Sequence, residues 1–544
     1  MFTQVEEKII KFFAPIFLMM TIIGFVIMGA ENLLGNEDYY FLYNRARQLL
    51  SCIQDGAPIG FFYNDLNGVG YGSSFFYGYL TLIPFLPLLN ISSTIFINSY
   101  LVVAGLVFCF GVLYLVSRFT DKYVFITCLF LLSTFVIEMF SATGLIVNYF
   151  AVGLSFFFIG TCIDFFRDDK KFIWSSILFF LILNTHTITA FLSFLICVFM
   201  FISYFDKKRI KDYCLFAFVT LLFCSYFIFT FITHIDLSMS LNKTTKEFID
   251  VIAANDKQHN MFCGSSFAFC DVLTMNCLHI SSINGYSFFG LGFLLVSIVV
   301  LLQSYKLLSK KEVLCLFGFV IGLILGINDI WVAIINRFNV PIQFPLRYMF
   351  YLLLGFYIIV CRRIENKGIF IVLFLISIPN IMFRFHVGNV DLKMNTLAEL
   401  YNHQMVNAEY LSDDFDFDLD TFERHRNEVV DEDGTQYVFV KDKDVLYVKF
   451  NTDEEHTLTI PKLYYNGYVC ENTETHNQLQ VNKGISQFIS VTIPSNSRGI
   501  YAIYFDDTNL SRLQLVNYIF VVIVSGLFLF VDYQNFHIKF ARKS

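Results

Sequence analysis

The sequence predicts an α-helical multi-pass membrane protein of about twelve spans with a small β-rich domain outside the membrane. Of its 544 residues 56% are hydrophobic and only 15% charged, against about 25% charged in soluble domains. The apolar residues are gathered into runs long enough to span, and Lys and Arg fall on alternate loops between them. A net charge of -7, with each basic cluster confined to a short membrane-flanking loop, weighs against a nucleic-acid partner.

A crossing needs about 20 apolar residues to cover roughly 30 Å of hydrocarbon. Such segments run over residues 12–30, 95–116, 123–140, 145–166, 172–184, 188–205, 213–232, 283–302, 313–330, 344–361, 369–383 and 513–531. The two beside Asn184-Thr185-His186-Thr187 are short. A single helix over 172–205 would be about 50 Å long with basic loops at both ends, so two crossings and a tight turn are expected. The apolar stretch 75–89 contains Pro84 and Pro87 and is expected to be re-entrant or interfacial. The first span is too long for a cleavable signal peptide, and no small-residue cleavage site follows it.

Arg118 with Lys122, Arg167 with Lys170 and Lys171, Lys207 to Lys211, Lys306 to Lys311, Arg362 to Lys367, and the C-terminal Lys539, Arg542 and Lys543 mark the cytoplasmic side. Both termini are then cytoplasmic in a plasma-membrane protein, and residues 31–90, 233–282 and 386–512 are outside. The expected organisation is a membrane portion over 1–385 with a first outer loop at 31–90, an outer β-rich domain over 386–512, and a final span with a cytoplasmic tail over 513–544.

Strand-like runs at 436–440, 445–450, 457–465, 487–493 and 499–505 define the β-rich domain, with Asn466-Gly467 as a hairpin-type turn signal. The acidic run 413–420 reads as a solvated connector; extended, its alternate carboxylates share one face, as a hard cation would need. Its Asp-x-Asp spacing is not a nucleotide-sugar site, because those donors are cytoplasmic. Five cysteines lie outside, Cys52, Cys263, Cys270, Cys277 and Cys470, an odd number that leaves at least one unpaired. No familiar zinc spacing appears. Neither a phosphate-binding Walker loop nor a dinucleotide glycine fingerprint is present, so transport driven by the chain's own ATP hydrolysis is not expected.

The first outer loop carries the densest chemistry. Glu37 and Asp38 follow directly after the first span, with Arg45 and Arg47 about two helical turns further on. The segment from Asn64 to Gly78 is rich in Gly, Asn and Tyr, and its glycines let a backbone approach a sugar or lipid headgroup. Three polar positions lie at membrane depth elsewhere. Arg347 stands within the outer end of a span, where a charge is functional by default, and Glu138 lies in the outer turn of another. His186 occupies an outer turn between Thr185 and Thr187, as a second base, a phosphate ligand or a helix-end residue.

In order along the chain, Asp38, Phe41, Arg45, Asn67-Gly68, Gly70-Tyr71, Phe76-Tyr77, Gln343-Phe344-Pro345-Leu346-Arg347 and Glu409-Tyr410-Leu411 resemble a known group. It comprises the bacterial YfhO-like and 6-pyruvoyl-tetrahydropterin-synthase-related multi-pass membrane proteins, which are similar to GT-C glycosyltransferases. Leu42 stands where that group has a His. The resemblance implies a GT-C-like transferase that takes a sugar from a polyprenyl-phosphate-linked donor and attaches it to a cell-envelope glycan or surface acceptor. Asp38, with Glu37 as alternate, would then deprotonate the acceptor hydroxyl. Arg347, then Arg45, would meet the departing phosphate, with Gln343 beside it. Tyr71, Asn67, His186 and Glu138 would hold sugar or acceptor groups. No metal ligands are assigned, and the first-loop carboxylates are compatible with a divalent cation. Two other classes fit the same span count: a transporter or flippase of lipid-linked sugars, which favours related halves and midplane helix breaks, and a non-catalytic glycan-binding membrane protein.

Overall fold

The computed structural model describes residues 37–57, 61–64, 68–133, 146–168, 172–234, 291–325, 346–365 and 427–541, with a few isolated positions between them. The expected span over 12–30, most of that over 369–383, the acidic run 413–420 and the Cys263, Cys270 and Cys277 group lie outside these residues.

In chain order the helices are α1 (Glu37–Asp55), α2 (Ser93–Val116), α3 (Tyr123–Leu131), α4 (Ile146–Asp168), α5 (Ile173–Leu183), α6 (Thr187–Tyr204), α7 (Ile210–His234), α8 (Leu291–Ser304), α9 (Lys310–Leu325) and α10 (Leu346–Arg363). The strands β1 (Val429–Asp431), β2 (Gln436–Tyr437), β3 (Phe439–Asp442), β4 (Val445–Thr452), β5 (His456–Leu463), β6 (Tyr468–Asn472), β7 (Gln478–Leu479), β8 (Val481–Lys483), β9 (Phe488–Ile493) and β10 (Ser497–Phe505) follow, and then α11 (Thr508–Ala541). Among the described residues five helical stretches are long and apolar enough to cross a membrane: Ser93–Val116, Val147–Arg167, Thr187–Tyr204, Lys207–His234 and Thr508–Phe528. The chain is therefore a mostly helical membrane protein with a β-sheet domain toward its C-terminus. The stretch 75–89 makes no continuous helix. It breaks into a helical turn ending at Phe76, a 3-10 turn over Leu80–Phe85 with Pro84 inside it, and another turn over Leu86–Leu89, because each proline removes a backbone donor.

The chain forms two compact units, one of Met1–Tyr40, Pro87–Lys207 and Thr245–Glu399, the other of Phe41–Leu86, Lys208–Thr244 and Leu400–Ser544. The first is built around α4, whose spanning stretch is almost wholly covered by its neighbours. Glycine permits that coverage: a Cβ on Gly153 would lie 2.6 Å from the Phe108 backbone nitrogen, and one on Gly111 would lie 2.3 Å from the Gly153 carbonyl oxygen. α2 and α4 thus touch backbone to backbone, as small residues allow between membrane helices. Phe108 beside this crossing packs its ring against Tyr149, Phe156 and Phe350. The turn expected at Asn184-Thr185-His186 is present between α5 and α6; the Asn184 amide donates to Phe180 O at 2.9 Å and the Thr185 hydroxyl to Leu181 O at 2.6 Å.

The second unit joins two membrane helices to a β-sandwich. α7 and α11 pair through the Asn517 amide, which donates to Leu222 O at 2.7 Å and to Ser225 Oγ at 2.9 Å. The strands form two five-stranded antiparallel sheets, β2-β1-β5-β9-β8 and β3-β4-β10-β6-β7. Alternation buries Leu446, Val448 and Phe450 of β4 in one sheet and Ile489, Val491 and Ile493 of β9 in the other. Asn466-Gly467 is not a hairpin turn: it carries the chain from β5 in one sheet to β6 in the other.

Replacing Gly153 by Val should force the α2–α4 backbones apart and cost about 2 kcal/mol or more. Gly318→Val, at a glycine with nothing within 4 Å of an added Cβ, should change the unfolding midpoint in detergent little. Equal midpoints for the two variants would show that the crossing is not close.

Candidate functional site

In the first unit a polar layer runs across α4, α6 and α10. The Tyr351 hydroxyl of α10 donates to Ser155 Oγ of α4 at 2.9 Å, Ser155 and Ser193 of α6 meet at 2.7 Å, and Ser193 donates to Thr189 O at 2.7 Å. Because Ser193 spends its proton on the carbonyl, Ser155 is the donor between the two serines. The result is a one-way chain of hydrogen bonds from Tyr351 to α6.

Nearer the N-terminal ends of these helices lies a second polar group. The Thr189 hydroxyl donates to Asn148 Oδ1 of α4 at 3.0 Å. His186 caps α6, its Nδ1 accepting from the Thr189 backbone N–H at 3.1 Å and lying 2.8 Å from the Thr189 hydroxyl. An Nδ1 that accepts leaves the proton of the neutral ring on Nε2, so the imidazole presents an N–H away from the cap. Arg347 stands in the first turn of α10, one turn before Tyr351, and is 8% exposed. Asn148 precedes Ser155 by about two turns, and Thr189 precedes Ser193 by about one, so Asn148, Thr189, His186 and Arg347 all lie on the N-terminal side of the serine layer.

The opposite end of this unit is held by ion pairs. Asp164 near the end of α4 accepts from Arg118 and Tyr114, each at 2.9 Å, with the Arg118 guanidinium 4.2 Å from the Tyr114 ring centroid. The Lys122 ammonium donates to the carbonyls of Arg362 and Ile364 at the end of α10, at 3.1 and 2.5 Å. Arg363 reaches Glu312 at 2.6 Å, and Glu312 in turn accepts from the Ser309 backbone N–H at 2.9 Å in a capping box. Basic residues from two separate loops thereby meet at one end of the unit.

Two candidates from the first loop, Arg45 and Tyr71, lie in the second unit. Arg45 is 1% exposed; it donates to Tyr77 O at 2.6 Å and Gly78 O at 2.9 Å, with its guanidinium 5.3 Å from the Phe41 ring and 4.7 Å from that of Tyr77. It therefore fixes the loop's path. Tyr71 is buried and pairs its backbone with Phe62, the two N–H to O distances being 3.1 and 3.4 Å. Leu42 is a buried apolar position. Glu37 and Asp38 open the first turn of α1, with side chains outside the described residues, as are Asn67, Glu138 and Gln343. Among the described residues no cluster of three His, Cys, Asp or Glu suits a metal ion.

This loop lies on the β-sandwich. Phe61 stacks on Phe505 and meets Tyr465 and Tyr468 edge-on, and Leu463 N–H donates to Val69 O at 3.2 Å. His234, the last residue of α7, stacks on Phe75 at 4.0 Å between centroids, with Nδ1 2.8 Å from Thr230 O and Nε2 3.1 Å from Asn466 O. A neutral ring donates to one of those carbonyls and an imidazolium to both. The Asp55 carboxylate at the end of α1 accepts from the Tyr63 hydroxyl in a short hydrogen bond. That bond holds Asp55 below its ordinary value, while burial and then Asp55 push the Tyr63 phenol up to about 12.

Asn148, Ser155, Thr189, Ser193 and Tyr351 were not singled out from the sequence. Their signal is spacing: Asn148 with Ser155 seven apart, and Thr189 with Ser193 four apart, each make a polar stripe on an otherwise apolar helix.

Tyr351→Phe and Ser193→Ala should each cost about 1 kcal/mol, and the double variant less than the sum, because both open the same chain at Ser155. Strict additivity in thermal unfolding of the detergent-solubilised protein would refute the shared network. No protein-family model, curated protein or solved structure matches the chain.

Proposed function

We propose that the chain is a membrane glycosyltransferase of GT-C-like architecture. In this reading it has about twelve spans, cytoplasmic termini and an outer β-sandwich, and it transfers a sugar from a polyprenyl-phosphate-linked donor to a cell-envelope glycan or surface acceptor. The observation that carries the reading is the grouping of Arg347, His186, Asn148 and Thr189 toward the N-terminal ends of α4, α6 and α10, away from the end where Arg118, Lys122, Arg362 and Arg363 gather.

The two ends suit different surroundings. The basic, ion-paired end fits the cytoplasmic side, which puts the Arg347 end at the outer face. A buried guanidinium there suits the phosphate of a lipid donor, with helix N-termini adding partial positive charge. The His186 N–H, the Asn148 amide and the Thr189 hydroxyl are neutral groups of the kind that hold sugar hydroxyls. As the bond from the anomeric carbon to phosphate oxygen breaks, negative charge grows on the phosphate and Arg347 stabilises it. The acceptor hydroxyl attacks that carbon and gives its proton to a carboxylate, for which Asp38 is the candidate.

The test is transfer from a labelled polyprenyl-phosphate-linked sugar in membranes carrying equal amounts of each protein. Arg347→Ala should lower the rate by about 10²–10³, Arg347→Lys by less, and Asp38→Asn should abolish base catalysis. Full transfer by both Arg347→Ala and Asp38→Asn would overturn the proposal. Movement of the intact lipid-linked sugar across the bilayer without transfer would favour a flippase.

A further inference from the structure

β5 carries a bulge. Its pairing with β9 shifts register between Ile460 and Leu463, so Pro461 and Lys462 have no partner across the ladder. Bulges re-aim side chains and recur beside functional sites. Here the bulge places Lys462, 1% exposed, inside the protein, with its ammonium 6.0 Å from the Tyr63 ring centroid. Among the described residues Lys462 makes no salt bridge. A buried cation outside an ion pair is costly, and two more lysines come to the first loop and the helix end that precedes it. Lys441 on β3 lies 3.5 Å from Gly68 O, and Lys443, in the β3–β4 turn with φ +54°, donates to Asp55 O at 2.9 Å. Leu463, next to Lys462, bonds to Val69, next to Gly68.

We propose that Lys462 and Lys441, beside the loop at Gly68 and Val69, form a binding site for a phosphate-like oxyanion, carried either by a lipid headgroup or by a free anionic solute. An oxyanion offers acceptors to both ammonium groups at once. Among the described residues the charged and titratable groups facing Lys462 are Lys441 and Asp444 from the β3–β4 hairpin and Tyr63 from the loop, and Tyr63 and Lys443 each bond to Asp55. Burial, then the charge of Lys441, pushes the Lys462 amine down to about 7 against the pull of Asp444. Tyr63 stays protonated and Asp55 ionised well beyond that range. Lys462 thus changes charge near neutrality, and an oxyanion binds more tightly below about pH 7 than above it.

The experiment is amide hydrogen exchange on the full chain in nanodiscs, followed in segments 61–72 and 456–465 and corrected for intrinsic rates. Sulfate, a dianion from pH 6 to 9, is added to discs of neutral phosphatidylcholine, and separately the protein is placed in discs containing phosphatidic acid without sulfate. Sulfate at about ten times its Kd should slow exchange in both segments by about tenfold, more readily at pH 6 than at pH 9. Slowing by sulfate identifies a free anion, and slowing by phosphatidic acid a headgroup. Lys462→Met keeps the apolar stem and removes the charge, so it should fold and lose both the slowing and its pH dependence; Lys441→Met should weaken it. No slowing by either anion, or equal slowing in Lys462→Met, overturns the proposal. Sugar transfer is not read in this experiment, so its outcome stands apart from that of the Arg347 test.

Discussion

A polar side chain away from water must find its partners inside the protein, and both units are arranged around that demand. In the first, three apolar-looking helical faces hide a directed chain from Tyr351 through Ser155 and Ser193 to the Thr189 carbonyl. Each bond is worth about 1 kcal/mol net, but leaving one member unpaired costs more than the bond contributes. The chain therefore selects one rotational setting of α4, α6 and α10, and the Gly111–Gly153 crossing selects one setting of α2 against α4. Asp164 illustrates the same demand for a charge: it is accommodated because Arg118 and Tyr114 both donate to it.

The first unit is chemically polarised along its helices. Its ion-paired end uses charges to complete helix termini, as where Lys122 donates to the last carbonyls of α10 and Glu312 caps α9. Its other end carries Arg347 with neutral hydrogen-bonding groups and a capping imidazole. In the second unit the loop from Phe61 to Phe75 owes its place to the aromatic group of Phe61, Tyr465, Tyr468 and Phe505 and to one backbone bond, Leu463 to Val69.

What was legible in the sequence follows physical rules of different strength. The break at Asn184-Thr185-His186 could be read because polar residues interrupt an apolar run, and the run 445–450 because β4 alternates with period two. β6 was missed: Tyr468-Val469-Cys470 is a short apolar run followed by Glu471-Asn472, so the alternate burial that the strand shows is not written in its residue types. Arg347 and His186 drew notice because a titratable group in an apolar run is costly. Ser155 and Ser193 did not, since a helical serine is just as often satisfied by its own backbone, as Ser297 is by Phe293 O at 2.6 Å. Lys462 read as an ordinary strand lysine, because a bulge depends on the partner strand, and Pro461 was its one local sign.

The bond between Val69 and Leu463 spans about 400 residues of chain. At about 5–20 residues per second, roughly 20 to 80 seconds pass between synthesis of the first partner and the second. Throughout that interval Phe61 and Phe75 have no sandwich to lie on, and their rings are open to water or lipid. A newly made chain therefore has a long vulnerable period that ends only when the last strand, β10, delivers Phe505. Quality control acting on this protein during insertion meets an early loop whose completion depends on strands made about 400 residues later.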